Sequence, residues 1–335
     1  MKRVLLTGGL GYIGSHTAVA LADAGFNVAL FDNLSNSKRD VLDRLETITG
    51  IRFPFIEGDV RDTALLEEAL QTHQIDAVVH FAGLKAVGES VEAPLSYYEN
   101  NVVGTVSLLR AMTTAGLTSL VFSSSATVYG DPDYVPIDES HPRSATNPYG
   151  QTKLHIEDML QDLAHSDPRW RIACLRYFNP VGGHESGLIG DDPTGIPNNL
   201  MPYVARVAGG SLPLLKVFGD DYDTPDGTGV RDYIHVMDLA EGHRAALEFL
   251  ETEAGWHAFN LGTGEGYSVL DMIRAFEAAS GQHIPYEISP RRPGDIAQCY
   301  ADPKKAEQML NWRALRGVEA MCASAWLFQQ RLQSS

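Results

Sequence analysis

Long apolar runs are missing from this sequence, because no stretch reaches the roughly eighteen residues that a membrane-spanning helix needs. The N-terminus is basic and then apolar, which is how a signal peptide begins. Its apolar stretch ends before Thr7, however, and is too short for the hydrophobic region of such a peptide. We therefore expect no membrane contact and assign residues 4–7 to a first β-strand.

Cysteine is also scarce, with three residues (Cys174, Cys299 and Cys322) in a chain of 335. Their odd number and wide spacing exclude a disulfide framework and a zinc site of the Cys-x-x-Cys type. We expect no bound metal and a reducing, cytoplasmic setting.

Basic residues are outnumbered by acidic ones. The chain has 26 lysines and arginines but 43 aspartates and glutamates, and its formal net charge is −17. A nucleic acid is excluded as a partner, because its phosphates require a positive protein surface. Any smaller phosphorylated ligand must be held by a local cluster of basic side chains.

Short β-branched runs alternate with helical patterns through the first half of the chain. The predicted strands are 4–7, 28–31, 52–57, 77–81, 120–124 and 172–177. Helical spacing occurs at 14–24, 63–73 and 100–115. This alternation is typical of right-handed βαβ units, and it predicts an α/β fold with a doubly wound parallel sheet of the Rossmann type.

The composition changes after residue 178. Residues 179–230 are rich in Gly, Pro, Asn and Asp, and so long an irregular stretch is usually functional or disordered. Beyond it we predict a strand at 259–261 and helices at 269–280 and 318–331. We therefore expect a first domain at 1–178 and a smaller α/β substrate domain at 179–335, with some segments of the second returning to the first.

Gly8, Gly11 and Gly14 lie between the first strand and the first helix. Glycines at this spacing let the chain turn tightly and let backbone N–H groups approach a pyrophosphate, whose charge the helix N-terminus favours. The second strand ends at Asp32, whose carboxylate can accept hydrogen bonds from two ribose hydroxyls and repels a 2′-phosphate. Together these residues predict an NAD site. The alternative for the glycines alone is a tight turn without a ligand.

Tyr149 and Lys153 follow a helix start that has Asn147 as its cap and Pro148 in the first turn. Four residues apart, the two side chains share one helical face. An ammonium about 4 Å from the phenol would lower the pKa of Tyr149 by roughly three units, toward neutrality, where a general acid–base works best. Taken alone, such a pair is more often two solvated side chains.

Three serines, Ser123, Ser124 and Ser125, end the fifth predicted strand. Ligands of open α/β sheets bind at the carboxyl ends of the strands, where a serine can orient a substrate and relay a proton. A single serine at such a place is more often a turn residue.

The glycine motif, the serine strand end and the Tyr-x-x-x-Lys pair together resemble the extended short-chain dehydrogenase/reductase family. Within it, segments 81–90 (FAGLKAVGES) and 198–202 (NNLMP) resemble the branch that epimerises UDP-glucose and UDP-galactose at C4. The likeness covers nearly the whole chain. It implies tightly bound NAD, a UDP-sugar substrate, and a homodimer formed through the helices near 100–115 and 149–163.

The resemblance also implies residue roles, with Ser125, Tyr149 and Lys153 as the catalytic residues and Tyr149 as the acid–base. The residues implied for NAD binding are Gly8, Gly11, Tyr12, Ile13, Gly14, Asp32, Asn33, Leu34, Ser35, Asn36, Ser37, Asp59, Val60, Phe81, Ala82, Gly83, Leu84, Lys85, Asn100, Ser125, Tyr149, Lys153 and Phe178. The residues implied for UDP-sugar binding are Lys85, Ser125, Tyr149, Asn179, Asn199, Leu200, Lys216, Val217, Phe218, Arg231, Arg292, Asp295 and Cys299. Arg231 and Arg292 would form the basic clamp that an acidic chain needs for a diphosphate.

Related reactions are distinguished by a few residues. A nucleotide-sugar 4,6-dehydratase needs an acid pair beside the active hydroxyl, and Ala126-Thr127 cannot supply it. Uronate-specific relatives need an extra basic residue near C6 of the sugar, and none is evident. A redox sensor that binds a dinucleotide without catalysis could dispense with Tyr149. An ordinary oxidoreductase would release NADH.

Cys299 stands where members that are strict for glucose and galactose often carry a tyrosine, shortly after the segment RRPGD at 291–295. A smaller side chain there would leave room beside the C2 substituent of the sugar. We therefore expect activity on UDP-GlcNAc and UDP-GalNAc as well. The alternative is that Cys299 is simply a small buried residue.

Overall fold

The computed structural model describes residues 2–193, 195, 197, 199–292 and 294–334, so Asn198 and Pro293 of the predicted motifs lie outside the described residues. The strands are β1 (Arg3–Thr7), β2 (Asn27–Asp32), β3 (Phe55–Glu57), β4 (Ala77–His80), β5 (Ser119–Ser125), β6 (Arg171–Tyr177), β7 (Asn179–Val181), β8 (Leu215–Phe218), β9 (Val230–Arg231), β10 (Tyr233–His235), β11 (Gly255–Leu261), β12 (Tyr267–Ser268), β13 (Tyr286–Ser289) and β14 (Gln298–Cys299).

The helices are α1 (Tyr12–Asp23), α2 (Val41–Thr49), α3 (Thr63–Thr72), α4 (Val87–Glu92), α5 (Pro94–Tyr97), α6 (Gly104–Thr114), α7 (Pro148–Ser166), α8 (Leu200–Ala208), α9 (Val236–Phe249), α10 (Val269–Ser280), α11 (Lys304–Leu310) and α12 (Val318–Ser334). A π-helical turn (Tyr98–Val103) precedes α6, and a 3-10 turn (Ala126–Tyr129) follows β5. None of the helices in the described ranges is long and apolar enough to cross a membrane.

Seven parallel strands form the central sheet, in the order β11-β6-β5-β4-β1-β2-β3. The chain moves outward in one direction from β1 to β3 and then crosses back to β4, so the order reverses between β1 and β4. In doubly wound sheets, ligands bind beyond the carboxyl ends of the strands at this switch point. The predicted fold class is therefore confirmed.

Helices cover both faces of the sheet, which is why its strands are nearly continuous apolar runs. One face packs against α1 and α9 through side chains such as Leu21 and Leu239. The other face packs against α3, α6 and α7 through Leu66, Leu108 and Leu160. All five side chains are fully buried.

The second half of the chain contributes to this sheet as well as building a smaller unit. β11 pairs with β6 along its whole length, from Gly255 opposite Arg171 to Leu261 opposite Tyr177. The smaller unit has its own core, in which Met201, Val217 and Phe276 join α8, β8 and α10. Segments after residue 179 thus lie in both parts of the molecule.

Several predicted elements differ from those observed, and the strand predicted at 259–261 begins four residues earlier, at Gly255. The strand predicted at 52–57 begins only at Phe55, because Pro54 has no N–H to donate to a strand ladder. The helix predicted at 100–115 is α-helical from Gly104, since the preceding turn is π-helical. Residues 179–230, predicted to be irregular, contain α8 and β8, whose apolar side chains are buried in the smaller core.

Candidate active site

The loop between β1 and α1 lies at the switch point and leaves no room for side chains. Gly8 has a φ of +68°, and a Cβ on it would lie 2.8 Å from the backbone nitrogen of Ala82. A Cβ on Gly14 would lie 2.3 Å from the Gly8 carbonyl oxygen. Gly11 caps α1 without any side-chain hydrogen bond, so the first N–H groups of the helix remain available. This cradle fits a dinucleotide pyrophosphate.

Asp32 orders the loop that follows β2. Its side chain is buried and accepts hydrogen bonds from the backbone N–H groups of Leu10 (3.0 Å) and Leu34 (2.9 Å) and from the Ser37 hydroxyl (2.8 Å). A carboxylate has about four acceptor positions. About one acceptor position of the Asp32 carboxylate therefore remains for a ribose hydroxyl. The sequence had suggested that both ribose hydroxyls bind to Asp32.

The loops after β2 and β3 are joined at the same edge of the sheet. Asn33 donates from its side-chain nitrogen to Asp59 over 3.4 Å, which links two of the predicted NAD residues. The Arg61 side chain also donates to Asp59, and this lowers the pKa of the Asp59 carboxyl to about 2. Asp59 is therefore a carboxylate at neutral pH, and its neighbour Val60 is buried.

Asn101, which the sequence did not single out, holds the loop at 81–85. Its side-chain oxygen accepts from the Leu84 N–H (2.8 Å), and its side-chain nitrogen donates to the Leu84 carbonyl (3.0 Å) and the Thr152 hydroxyl (3.1 Å). The side-chain nitrogen of the predicted residue Asn100 donates to the side-chain oxygen of Asn101 over 3.0 Å. Asn100 is thus linked to this loop through Asn101. Nothing in the sequence distinguishes two adjacent asparagines, because the π-helical turn decides which of them faces inward.

The alternation of side chains along β5 separates the three serines. The Ser123 side chain hydrogen-bonds Tyr177, and its carbonyl accepts from Lys153 Nζ at 2.6 Å. Ser124 faces the other side of the sheet and donates to Glu157 Oε1 at 2.5 Å. Ser125, at the strand end, lies beside the Tyr149 phenol, and its hydroxyl lowers the pKa of that phenol. Ser125 is thus the serine that meets the predicted base.

The predicted start of α7 is confirmed, since the Asn147 side chain accepts from the Gly150 N–H at 2.9 Å and Pro148 lies in the first turn. Lys153 is buried, and its Nζ lies 5.9 Å from the centre of the Tyr149 ring. Burial lowers the pKa of the Lys153 ammonium to about 8. The lysine is directed to the Ser123 carbonyl rather than to the phenol oxygen.

Burial raises the pKa of the Tyr149 phenol, and the Ser125 hydroxyl beside it only partly opposes this shift. The expectation that Lys153 alone brings this pKa toward neutrality is therefore wrong. Desolvation of the phenolate outweighs the effect of an ammonium that is directed to the Ser123 carbonyl. A bound nicotinamide cation would act in the same direction as Lys153 and lower this pKa.

The residues predicted to hold a UDP-sugar lie on several elements of the smaller unit. Asn179 opens β7, Asn199 precedes α8, and Lys216 lies on β8. The Val217 side chain is buried in the core of that unit, so only its backbone can face a ligand. Arg231 is paired in register with Cys299, which brings β9 beside β14.

Arg291 and Arg292 each lie on an aromatic ring. The Arg292 guanidinium is 4.7 Å from the centre of the Phe218 ring, and its Nε is 2.9 Å from the Asp295 carboxylate. The Arg291 guanidinium is 4.0 Å from the centre of the Tyr222 ring. Both guanidinium groups are thus restrained by an aromatic ring and a carboxylate, and Arg292 is one of the two arginines predicted to hold the diphosphate.

Tyr222 was not predicted as a site residue. It is 7% exposed, and its hydroxyl has no hydrogen-bond partner among the residues that the structure describes. Arg231 and Arg292 lower its pKa and Asp295 raises it, so the ring lies among the predicted substrate residues, although burial raises the pKa overall. The only sequence signal was its position four residues after Phe218.

Cys299 packs beside the catalytic turn. It is 8% exposed and shares a small apolar cluster with Ala126, Phe178 and Ala301. Burial raises the pKa of its thiol to about 11, which makes it unreactive at neutral pH. Cys299 is thus a small buried residue beside the turn that follows Ser125, and the room that it would leave for a C2 substituent stays a prediction.

The geometry agrees with comparisons to known proteins. The family model described as GDP-mannose 4,6 dehydratase matches residues 5–325. A UDP-glucose 4-epimerase from Bacillus subtilis (strain 168) is 58% identical over 97% of this chain and 96% of that relative. The chain belongs to the extended short-chain dehydrogenase/reductase family.

Two solved structures of this family are similar along the entire chain. A UDP-glucose-4-epimerase from Stenotrophomonas maltophila, with bound NAD and formylated UDP-arabinopyranose, has a TM-score of 0.98 and 50% identity, covering 100% of this chain and 99% of that one. A UDP-Glc/GlcNAc 4-epimerase from Campylobacter jejuni has a TM-score of 0.86 and 35% identity, covering 99% and 100%.

The glycine cradle can be tested with Gly14→Ala. Because the new Cβ would lie 2.3 Å from the Gly8 carbonyl oxygen, the loop must shift, and we expect the affinity for NAD⁺ to fall at least about tenfold, the equivalent of a 1.4 kcal/mol loss. Calorimetric titration of cofactor-stripped protein measures this. Gly88→Ala is the matched control, since nothing lies within 4 Å of its Cβ. Equal affinities for the two variants would contradict the assignment.

Proposed function

We propose that this chain interconverts UDP-glucose and UDP-galactose by epimerisation at C4, with one NAD kept bound through the cycle. The observation that carries this proposal is the position of Tyr149, whose phenol lies beside the Ser125 hydroxyl at the carboxyl end of β5 and one helical turn from Lys153. Relatives named for this reaction align with nearly the whole chain, which supports the same assignment.

In the proposed mechanism, Tyr149 as phenolate accepts the proton of the 4-hydroxyl while Ser125 orients that hydroxyl. NAD, which the loop of Gly8, Gly11 and Gly14 together with Asp32 would hold, would supply the hydride acceptor and donor for C4. The 4-keto sugar turns over about a diphosphate that Arg231 and Arg292 hold, so the opposite face of C4 is presented. Tyr149 then returns the proton. Most of the binding energy lies in UDP, which leaves the hexose free to rotate.

The binding roles divide between the two halves of the chain. In this proposal residues 1–178 hold NAD and residues 179–335 hold the UDP-sugar, with β11 and α9 returned to the large sheet. An epimerase is favoured over a dehydratase, despite the description of the family model, because Ser125 is followed by Ala126 and Thr127 rather than by an acid pair. We also propose a reducing, cytoplasmic setting, which the three free, buried cysteines fit.

The reaction can be tested without added cofactor. Purified protein given UDP-galactose should form UDP-glucose, and Tyr149→Phe should lower kcat by about 10²- to 10⁴-fold, because the acid–base hydroxyl is gone. Tyr286→Phe, which changes an exposed tyrosine on β13, is the control and should keep full activity. Coupled detection of UDP-glucose gives the rates. Steady accumulation of NADH without UDP-glucose would identify an oxidoreductase instead.

We further propose that the sugar pocket accepts N-acetylated hexoses. Cys299 is small and shares an apolar cluster with Ala126 and Phe178 beside the catalytic turn, where a phenol ring would take up more of the pocket. The similar Campylobacter jejuni structure is of an enzyme named for both UDP-Glc and UDP-GlcNAc, which supports a pocket of this kind.

Cys299→Tyr tests the size of the pocket. We expect turnover of UDP-GlcNAc to be lost while kcat/KM for UDP-galactose stays within about threefold, because the ring fills only the space beside C2 and three-fold is under 1 kcal/mol. Cys299→Ala is the control for loss of the thiol and should keep both activities. A wild-type rate with UDP-GlcNAc at background level would refute the proposal.

We propose that the protein forms a homodimer through the side of the molecule where α4 and α5 pack on α7. Large apolar side chains are exposed there, with exposed fractions of 63% for Val91, 81% for Leu95 and 49% for Val103. An exposed apolar patch of this kind is typical of a protein interface. A second copy is the proposed occupant, since the patch adjoins the helices near 100–115 and 149–163.

Leu95→Glu tests this interface, because a charge at the centre of the patch would have to be buried in a dimer. We expect light scattering to give a dimer mass for the wild type and a monomer mass for the variant. Leu315→Glu, at a residue that is 68% exposed outside the patch, should remain dimeric. A monomeric wild type would rule out the proposal.

A further inference from the structure

Glu157 lies on α7 one turn beyond Lys153 and two turns beyond Tyr149. Its side chain is fully buried, yet nothing in the proposed reaction uses it. Oε1 accepts from the Ser124 hydroxyl (2.5 Å) and Arg176 Nε (3.0 Å), and Oε2 accepts from Arg176 Nη2 (2.7 Å) and Arg143 Nη1 (3.2 Å). Both oxygens are therefore held by donors from β5, β6 and the segment before α7.

Arg176 extends this network across the sheet. It is 1% exposed, and its Nη1 donates to the Tyr129 hydroxyl at 2.8 Å. The Tyr129 hydroxyl in turn donates to Asn260 Oδ1 at 2.6 Å, and Asn260 lies on β11. One carboxylate of α7 is thus connected to three adjacent strands and to the turn that follows Ser125.

The same stretch of β5 contacts α7 at two points. Ser124 donates to Glu157, while the next residue, Ser125, lies beside Tyr149, which is eight residues earlier on the helix. Eight residues span about 12 Å along a helix axis. The hydrogen bond at Glu157 therefore restrains the helix at a point well separated from the Tyr149–Ser125 contact.

We propose that Glu157 is a positioning residue of the active site, whose carboxylate holds α7 against the ends of β5 and β6 so that Tyr149 meets Ser125. This inference rests on the proposed function, because turnover at C4 is one of its readouts. Stability alone is a weak reason for such a pair, since a buried ion pair can often be replaced by apolar side chains without loss.

The network also faces Lys153. The titratable groups that face that ammonium are Tyr149 and Glu157 on its own helix, His80 on β4 and Cys174 on β6, and Glu157 is itself paired with Arg176 and Arg143. Burial lowers the pKa of His80 to about 3 and raises that of Cys174, so both are neutral at pH 7. Among the described residues around Lys153, Glu157 is therefore the carboxylate that stabilises the ammonium.

The expected pH dependence follows from the sign of that interaction. Lys153 is charged below its pKa of about 8, and Glu157 raises this pKa against the effect of burial. Removing the negative charge lowers the pH at which the ammonium is lost. The alkaline limb of the kcat profile should then move to lower pH, by about one unit for loss of an adjacent opposite charge.

Glu157→Gln is the test, because the amide keeps the shape and can still accept from Ser124. We expect kcat to fall at least about tenfold, a 1.4 kcal/mol loss in the transition state, with KM nearly unchanged and with the alkaline limb shifted. Asp238→Asn is the matched control. Asp238 is a fully buried carboxylate that pairs with Arg316 but lies on α9, so its loss should affect stability and leave the pH profile unchanged.

A second variant covers failure of the first to fold. Glu157→Gln combined with Arg176→Met removes both charges of the pair and avoids an unpaired buried arginine. It should fold cooperatively and still lose kcat. Wild-type kcat and an unshifted limb in either folded variant would overturn the proposal.

Hydrogen exchange separates this inference from the proposed function. Amides in the first turns of α7 should exchange faster in the Glu157 variant than in Asp238→Asn, whatever substrate the protein turns over. Equal exchange in the two would overturn the positioning role even if the wild type is an active epimerase. Conversely, a wild type that is inactive on UDP-hexoses refutes the function while the exchange result still decides the role of Glu157.

Discussion

The parallel pairing of β1 with β4 is the interaction on which the candidate site depends. It brings the Thr7 carbonyl within 2.9 Å of the Phe81 nitrogen and 3.1 Å of the Ala82 nitrogen, so two loops from distant parts of the chain meet at their first residues. Only glycine fits at position 8, where the backbones approach most closely. The loops then diverge, and the crevice between them is where a dinucleotide fits.

In the proposed mechanism, α7 makes that crevice a catalytic site, because it places three ionisable side chains at intervals of four residues. Tyr149 is beside Ser125, Lys153 binds a carbonyl beneath it, and Glu157 is fully buried. The side chains become more buried from Tyr149 to Glu157. Each of the three contacts a serine of β5, and this contact offsets part of the cost of removing the side chain from water. The end of β5 therefore determines the environment of these three side chains as much as their spacing on the helix does.

The proposed substrate side meets a different constraint, since a chain of net charge −17 would have to hold a diphosphate. Positive charge is concentrated locally there. Of the two arginines proposed for the diphosphate, Arg292 lies over the Phe218 ring and is paired with Asp295, and its neighbour Arg291 lies over Tyr222 and is paired with Asp221. Stacking limits the conformational freedom that a long side chain would lose on binding. The acidic surface elsewhere is compatible with this cluster because salt screens distant charges.

The sequence by itself determined the features that depend on near neighbours. The glycine loop, the Asn147 cap and the strand–helix alternation follow from local backbone sterics and side-chain periodicity, and they predicted the fold class and the position of Tyr149 and Lys153. Tertiary structure alone decided that β11 joins the large sheet, that Asn101 rather than Asn100 holds the loop at 81–85, and that Glu157 pairs with Arg176. It also reversed the expected pKa shift of Tyr149, because burial depends on packing between distant segments, which local pattern does not encode.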